Sequence, residues 1–518
     1  MSQKEHTSTV ESDFWQESAR QRWPQLLLLI GAALYLWLNL FASLHIPFLL
    51  EGDQTWFRAN ALRMLHGEKI YHDFFQFTPP GTDVFHLTLL KFFGLHMWVM
   101  NVAVLLVGVA LCWLCFSIAK LMMEQKLAVL ATALFLVLVY TRLLDATHHW
   151  FSLLAVLCAV RILMPGNTPA RIVAAGALLG LASFFTQTTG ASCAVALLLF
   201  LIWEGRSTGK LWRRIVGSQL VLVLAFAATI SMLCAYFIAE SGWKPICYML
   251  ITYPQHFVAY GDHRFFPRIS QLPNLRGLPD LVAYLFLYAL MLVIYPAVLW
   301  HCWHRRNNLA IRERAQLVLV SLVGLAVVLE MITRVNRVRI FSVSMPALIL
   351  LFWVIAHARK RQAFLVTAGW IIVACFAVQQ TALRYRQYQE IANLPSGKAA
   401  LTAERYEHFS WLMEHTKPGD LFFQSSWPNV YFPLDLRSPA FVDGLTTNEV
   451  TRPEWVDLTI RQVEDKQVKY ILCSPWLYRQ FDPRHPWEDH LEPFRTYLRS
   501  HYTRVHVFSD QDEIWERN

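Results

Sequence analysis

Charge is scarce in this chain. Only 16% of its 518 residues are Asp, Glu, Lys or Arg, against 55% hydrophobic residues. Soluble domains carry about a quarter charged residues, so the shortfall excludes an ordinary water-soluble architecture. Cysteine is sparse where it would cross-link. Seven of the nine (Cys112, Cys115, Cys158, Cys193, Cys234, Cys302 and Cys375) lie in apolar runs, and only Cys247 and Cys473 lie outside them. No disulfide framework is implied. Neither a G-x-x-x-x-G-K-S/T nor a G-x-G-x-x-G phosphate loop occurs, which argues against an ATP-driven or dinucleotide enzyme. There is no internal repeat and no low-complexity segment. The first apolar run is too long for a cleavable signal peptide, and its flank, Met1 to Trp23, is long and mixed in charge.

What the chain has is apolar length. Mean hydropathy is +0.34. A span needs about 20 apolar residues, and the sequence predicts about 11 transmembrane helices: 24–48, 97–119, 127–141, 149–164, 171–186, 190–204, 214–239, 281–303, 315–332, 339–357 and 363–383. The net charge of +9 is not spread evenly. Basic residues cluster between alternate spans: Lys120 and Lys126; Arg161 and Arg171; Arg206, Lys210, Arg213 and Arg214; Arg305, Arg306, Arg312 and Arg314; Arg359, Lys360 and Arg361. This is the positive-inside pattern. It places the N-terminus in the cytoplasm and the segment after the first span outside. Eleven crossings then place the tail outside as well. The same distribution leaves no role for a nucleic-acid partner.

Two regions follow. Residues 1–383 read as an all-α polytopic membrane bundle. From residue 384 the composition shifts to charge, proline and short alternating runs, the signature of a small α/β domain over 384–518. There, Ala403 to His415 reads as a helix with Phe409, Leu412 and Met413 on one face. Pro418-Gly419-Asp420 reads as a turn, Leu421 to Phe423 as a buried strand and Arg452 to Gln467 as a helix. Val468 to Cys473 and Val505 to Phe508 read as strands.

The loop 51–84 carries the most specific pattern. Leu50-Glu51-Gly52-Asp53-Gln54-Thr55-Trp56-Phe57 sets two carboxylates at the membrane edge, where acids are costly and usually functional. Trp56, Phe57, Ala61, Leu62 and Leu65 recur at helical spacing. Then come Leu65-His66-Gly67, Tyr71-His72-Asp73, Phe74-Phe75 and Pro79-Pro80-Gly81. This order resembles the first loop of the GT-C superfamily of membrane glycosyltransferases. More narrowly, it is similar to the protein O-mannosyltransferase and aminoarabinose lipid A transferase branch. The departure is Gln54, where many members carry a second acid; Glu51 is the candidate substitute. The plan of many spans with an external tail matches along nearly the whole chain.

The resemblance implies sugar transfer from a polyprenyl phosphate to an acceptor, inverting at the anomeric carbon, with Asp53 as general base. On position alone, Asp53 is equally a helix N-cap. Phe74, Phe75 and Phe77 are expected to help line a groove for the prenyl chain, and Tyr71 to assist donor binding. Glu51 and Asp73 are acceptor or metal candidates.

Three further clusters stand out. Asp145, His148 and His149, with Arg142 nearby, have the i, i+3, i+4 spacing that converges on one helix face. Metal binding, phosphate or acceptor contact and a plain polar turn all remain open for them. Arg334, Asn336, Arg337 and Arg339, with Glu330 just before, form a basic external loop that breaks the positive-inside rule. A guanidinium fork suits a phosphate, and Arg334 and Arg337 are equal candidates for the lipid phosphate; headgroup contact is the competing role. His256, Tyr260 and Arg264, in the loop from Tyr253 to Arg264, are candidates for covering the donor. Asp510-Gln511-Asp512 is a lone D-x-D, read as a solvated turn.

The reading is therefore a GT-C-like transferase, multi-pass in a bacterial inner membrane. Its partners would be a polyprenyl-phosphate sugar, membrane lipid and a glycan, lipid or protein acceptor. A divalent metal is the one candidate cofactor. A lipid or glycan transporter and a receptor-like scaffold are the rival classes. Loss of activity within the family, signalled by Gln54, is a further alternative.

Overall fold

The computed structural model describes residues 23–255, 278–306, 308–332, 335–358, 360–445, 451–478 and 489–518. Each of the eleven apolar runs contains a helix. Eight helices among the described residues are long and apolar enough to cross a membrane, from Trp23–Leu40 to Gln362–Gln387. A ninth crossing is the pair Arg337–Val343 and Met345–His357, bent by 52° at Ser344. His148–Leu163 and Pro169–Phe185 are apolar but shorter. The chain is a multi-pass membrane protein. The count of about 11 spans thus includes two short helices and one bent pair.

The first span ends earlier than the apolar run does. The helix stops at Leu40, and Phe41–Ser43 pairs with Ile46–Pro47 in a small antiparallel hairpin. Pro47 cannot donate to a helix ladder. Asn101, inside Met97–Ala119, donates to the carbonyls of Leu40 and Phe48 at 2.7 and 2.9 Å and so satisfies the broken backbone.

Two glycines set the tightest helix contact. Gly176 and Gly180, one turn apart on Pro169–Phe185, face Trp212–Ser241. A Cβ at either would stand 2.5 Å from the Leu222 carbonyl or 2.7 Å from that of Phe226. With little hydrophobic drive between helices in lipid, such small-residue seams supply close van der Waals packing.

After Gln387 the chain leaves the bundle. Glu390–Leu394 pairs with Gly397–Leu401. A four-stranded sheet follows in the order Phe423–Gln424, Tyr470–Cys473, Glu513–Arg517, Tyr502–Val507, its first pair parallel and the others antiparallel. Helices Ala403–His415, Pro453–Asp465 and Glu492–His501 accompany it. The tail packs on the first loop. Arg63 donates to Asp443 at 2.6 Å and Glu68 at 2.8 Å, and its guanidinium lies over the Phe74 ring. The Phe75 amide donates to the Phe441 carbonyl at 2.8 Å. The aromatic run thus serves the interface with the tail rather than a prenyl groove. Phe74 is buried, and Phe75 packs on Tyr253 and Trp455 with ring centroids 4.9 and 4.6 Å apart.

Candidate functional site

The site begins at a turn. Gly52 takes φ +100°, a left-handed geometry natural to glycine. Asp53 follows at the N-cap of Gln54–Leu65, yet its side chain makes no capping hydrogen bond. Arg58, fully buried one turn later, donates to the carbonyls of Leu50 at 2.5 Å and Gln54 at 3.3 Å, bracing the turn from inside. Burial holds that guanidinium down to about 10, partly offset by Glu51.

The Asp53 carboxylate instead faces His149, whose Nε2 lies 3.7 Å from Oδ2. The other ring nitrogen, Nδ1, lies 3.6 Å from Glu330 Oε2. One imidazole therefore joins acids from the first loop and from the turn Leu329–Ile332. His148 stacks beside His149 at 4.0 Å and touches Phe57 at 5.4 Å, which fixes the ring pair. Asp145 is buried, and Thr147 Oγ1 donates to it at 3.2 Å. Burial, then the charge of Asp53, pushes its carboxyl up to about 7. Asp53, Asp145, His148 and His149 are thus brought together at one end of the bundle.

The basic loop joins them. Arg337 donates to the Arg142 carbonyl at 2.6 Å, and Arg339 to the Glu330 carbonyl at 3.0 Å. Arg142 itself pairs with Asp280 in a buried ion pair. Arg334, His256, Tyr260 and Arg264 lie outside the described residues.

Other expected residues are engaged elsewhere. Glu51 accepts from Arg405 Nε at 2.5 Å and from Asn429 at 3.4 Å, both in the tail. Trp427 donates to the Gly52 carbonyl at 3.1 Å. Gln54 is fully buried and reaches the Leu144 carbonyl at 3.5 Å. Asp73 accepts from the Lys69 amide at 2.7 Å and from His72, closing its own turn. Tyr71 is buried at φ 68°, its hydroxyl donated to the Thr78 carbonyl at 2.7 Å.

Two features were not read from the sequence as parts of the site. The first is a buried carboxylate network: Asp83 accepts from Asn60 at 2.9 Å and from Gln76 at 3.0 Å. Burial pushes Asp83 up to about 7 against those bonds. An acid in the first turn of the largely apolar helix Gly81–Phe93, which also carries His86 and Lys91, was the available signal. The second is an apolar cavity of about 450 Å³ between helices Gln187–Ser207, Leu278–His304 and Ile311–Val328. Val195, Leu199, Leu292 and Leu322 line it, together with Leu329, Met331 and Val335, the first two of which flank Glu330 in sequence. Its size and lining suit an apolar ligand.

A polytopic bundle, an acid–imidazole–acid cluster at one end and a mixed tail folded over the first loop together define the class: the chain has the fold of the GT-C membrane glycosyltransferases. In particular, it is similar to ArnT from Cupriavidus metallidurans bound to undecaprenyl phosphate, with TM-score 0.61 and 14% identity over 95% of this chain and 97% of the other. The apo state of that protein matches with TM-score 0.55 and 14% identity over 96% and 98%. The archaeal oligosaccharyltransferase AglB from Archaeoglobus fulgidus, in complex with an inhibitory peptide and a dolichol-phosphate, matches with TM-score 0.52 and 12% identity over 96% of this chain and 74% of the other. No family model and no curated protein matches the sequence.

Proposed function

We propose that this chain is an inverting membrane glycosyltransferase using a polyprenyl-phosphate-linked sugar. The reaction takes place at the membrane face opposite the cytoplasm, with Asp53 as general base. The observation that carries the reading is the placement of Asp53. Its carboxylate leaves the helix it would otherwise cap and points to His149. The residues on either side of Glu330, Leu329 and Met331, line a 450 Å³ apolar cavity.

In this scheme the prenyl chain occupies the cavity. Arg337 and Arg339 hold the phosphate, with Arg334 beside them in sequence. The anomeric carbon then stands near Asp53. Asp53 draws the proton from the acceptor hydroxyl as it attacks, the bond to the donor phosphate breaks, and the lipid phosphate leaves with its charge met by the arginines. His149 orients Asp53 and links it to Glu330. The tail, 384–518, forms the acceptor side, tied to the loop through Arg405 and Trp427. The comparisons support the lipid-linked donor, because proteins of this fold have been seen with undecaprenyl phosphate and dolichol-phosphate.

Sugar transfer by the purified protein from a panel of radiolabelled polyprenyl-phosphate sugars tests the scheme, with wild type beside Asp53→Asn. Transfer or donor hydrolysis that vanishes in the variant is the expected result. Full activity in Asp53→Asn would sink the mechanism. The 52° bend between Arg337–Val343 and Met345–His357 also suits a transporter, where broken helices are common. Movement of intact lipid-linked sugar across vesicles without turnover would favour that class.

A further inference from the structure

We infer that His408, Asp510 and Asp512 form a binding site for a zinc-class divalent cation in the tail, apart from the Asp53 cluster. The three residues come from segments about a hundred positions apart. His408 lies on Ala403–His415, and the two acids lie in the turn between strands Tyr502–Val507 and Glu513–Arg517. Their ligand atoms all lie within 4.8 Å of one another.

The histidine points to a ligand independently of the acids. Its side chain is 1% exposed, so any unmet polar atom is costly. Nε2 faces Asp510 Oδ1 at 3.0 Å, and Nδ1 is buried with no hydrogen-bond partner. The ring is clamped on one side by Phe508, with centroids 4.0 Å apart. The polar groups near this imidazole are the acid pair, with Arg405 and Glu407 of its own helix.

The geometry suits insertion of an ion. With bonds of about 2.1 Å to nitrogen and oxygen, ligand atoms 3.0 Å apart subtend an angle of about 90° at the metal. Asp512 is also buried beside Asp510; Arg405, whose guanidinium grips Glu51, stands near the pair, and an ion would share the two carboxylates directly. One imidazole nitrogen with two carboxylates is a borderline donor set. It favours zinc over magnesium or calcium, which prefer all-oxygen shells, and over copper(I), which prefers sulfur. Three protein ligands leave room for water.

The position gives the ion a structural consequence. Arg405 stands one turn before His408 on the same helix face, and its guanidinium grips Glu51 at 2.5 Å. An ion held at His408 would pin this helix to the Asp510–Asp512 turn. That would fix the arm that reaches the loop beside Asp53.

Isothermal titration of zinc chloride into the full chain in detergent provides the test, using protein purified without a polyhistidine tag and stripped with chelator. Expected are one zinc per chain and a loss of affinity of about tenfold or more in Asp510→Asn, whose exposed site spares the core. His408→Ala should lose binding altogether, and Asp457→Asn, on another helix, should bind as wild type does. Cobalt(II) should give a visible absorption band that zinc displaces in wild type and not in Asp510→Asn. Equal zinc affinity in wild type and Asp510→Asn, or no zinc binding by wild type, would overturn the inference. Neither readout involves sugar transfer, so the result stands apart from the proposed function.

Discussion

His149 Nε2 lies 3.7 Å from Asp53 Oδ2 while its Nδ1 lies 3.6 Å from Glu330. A single ring thereby aligns two acids that are 277 positions apart in the chain (330 − 53). If Asp53 is the base, His149→Ala should lower kcat about 10²- to 10⁴-fold, the range typical of lost acid–base assistance. Donor binding should change little. Steady-state kinetics that show the loss in KM alone would assign His149 to binding instead.

The apolar cavity predicts chain-length discrimination. Val195→Trp should fill part of it and raise KM for a long polyprenyl donor about tenfold, the worth of one or two lost buried methylenes. A short-chain donor analogue should be used equally by wild type and variant. Equal sensitivity of both donors would place the lipid elsewhere.

Arg63 is the buried link between loop and tail, with Asp443 and Glu68 as partners. Removing one member of a buried ion pair strands the other. Arg63→Ala should therefore destabilise the protein by about 3–5 kcal/mol, read as a lowered thermal unfolding midpoint in detergent. Glu68→Gln, at a carboxylate that is itself partly exposed, should cost far less.

Asp83 predicts a pH dependence. Its carboxyl ionises near 7 when folded but near 3.8 when exposed. The folded state therefore holds a proton that the unfolded state has lost between those values. Stability should fall as pH rises from about 4 to about 7 and level off above. Asp83→Asn should flatten that decline, by on the order of a few kcal/mol at pH 7. An unchanged pH profile for thermal unfolding would show that Asp83 is ionised at all these pH values.

Much of this architecture was legible because membrane length and helical period are local signals. The helix Ala403–His415 matches its predicted limits, and each apolar run contains a helix. Failures occurred where distant contacts decide. The first run continues through Phe48, yet Asn101 captures the Leu40 and Phe48 carbonyls and the helix stops. Phe74 and Phe75 look like a lipid groove until the tail supplies Phe441 and Trp455. Asp510-Gln511-Asp512 reads as a solvated turn in sequence, and the nearness of His408, about a hundred residues earlier, does not show in a short motif. Asp53, His149 and Arg337 were all named from the sequence, since alternation of loops across a membrane sorts residues by side before any contact is known. Their mutual distances required the fold.

The grip of the tail on Glu51 and Gly52 bears on how the protein is made. A ribosome completes the bundle and releases Asp53, His149 and Glu330 into the membrane well before Arg405 and Trp427 emerge. Arrested or clipped chains would therefore insert normally while leaving the Asp53 turn without its outer brace. Under the proposed function, competence for chemistry would then come last, once the tail has folded onto the loop.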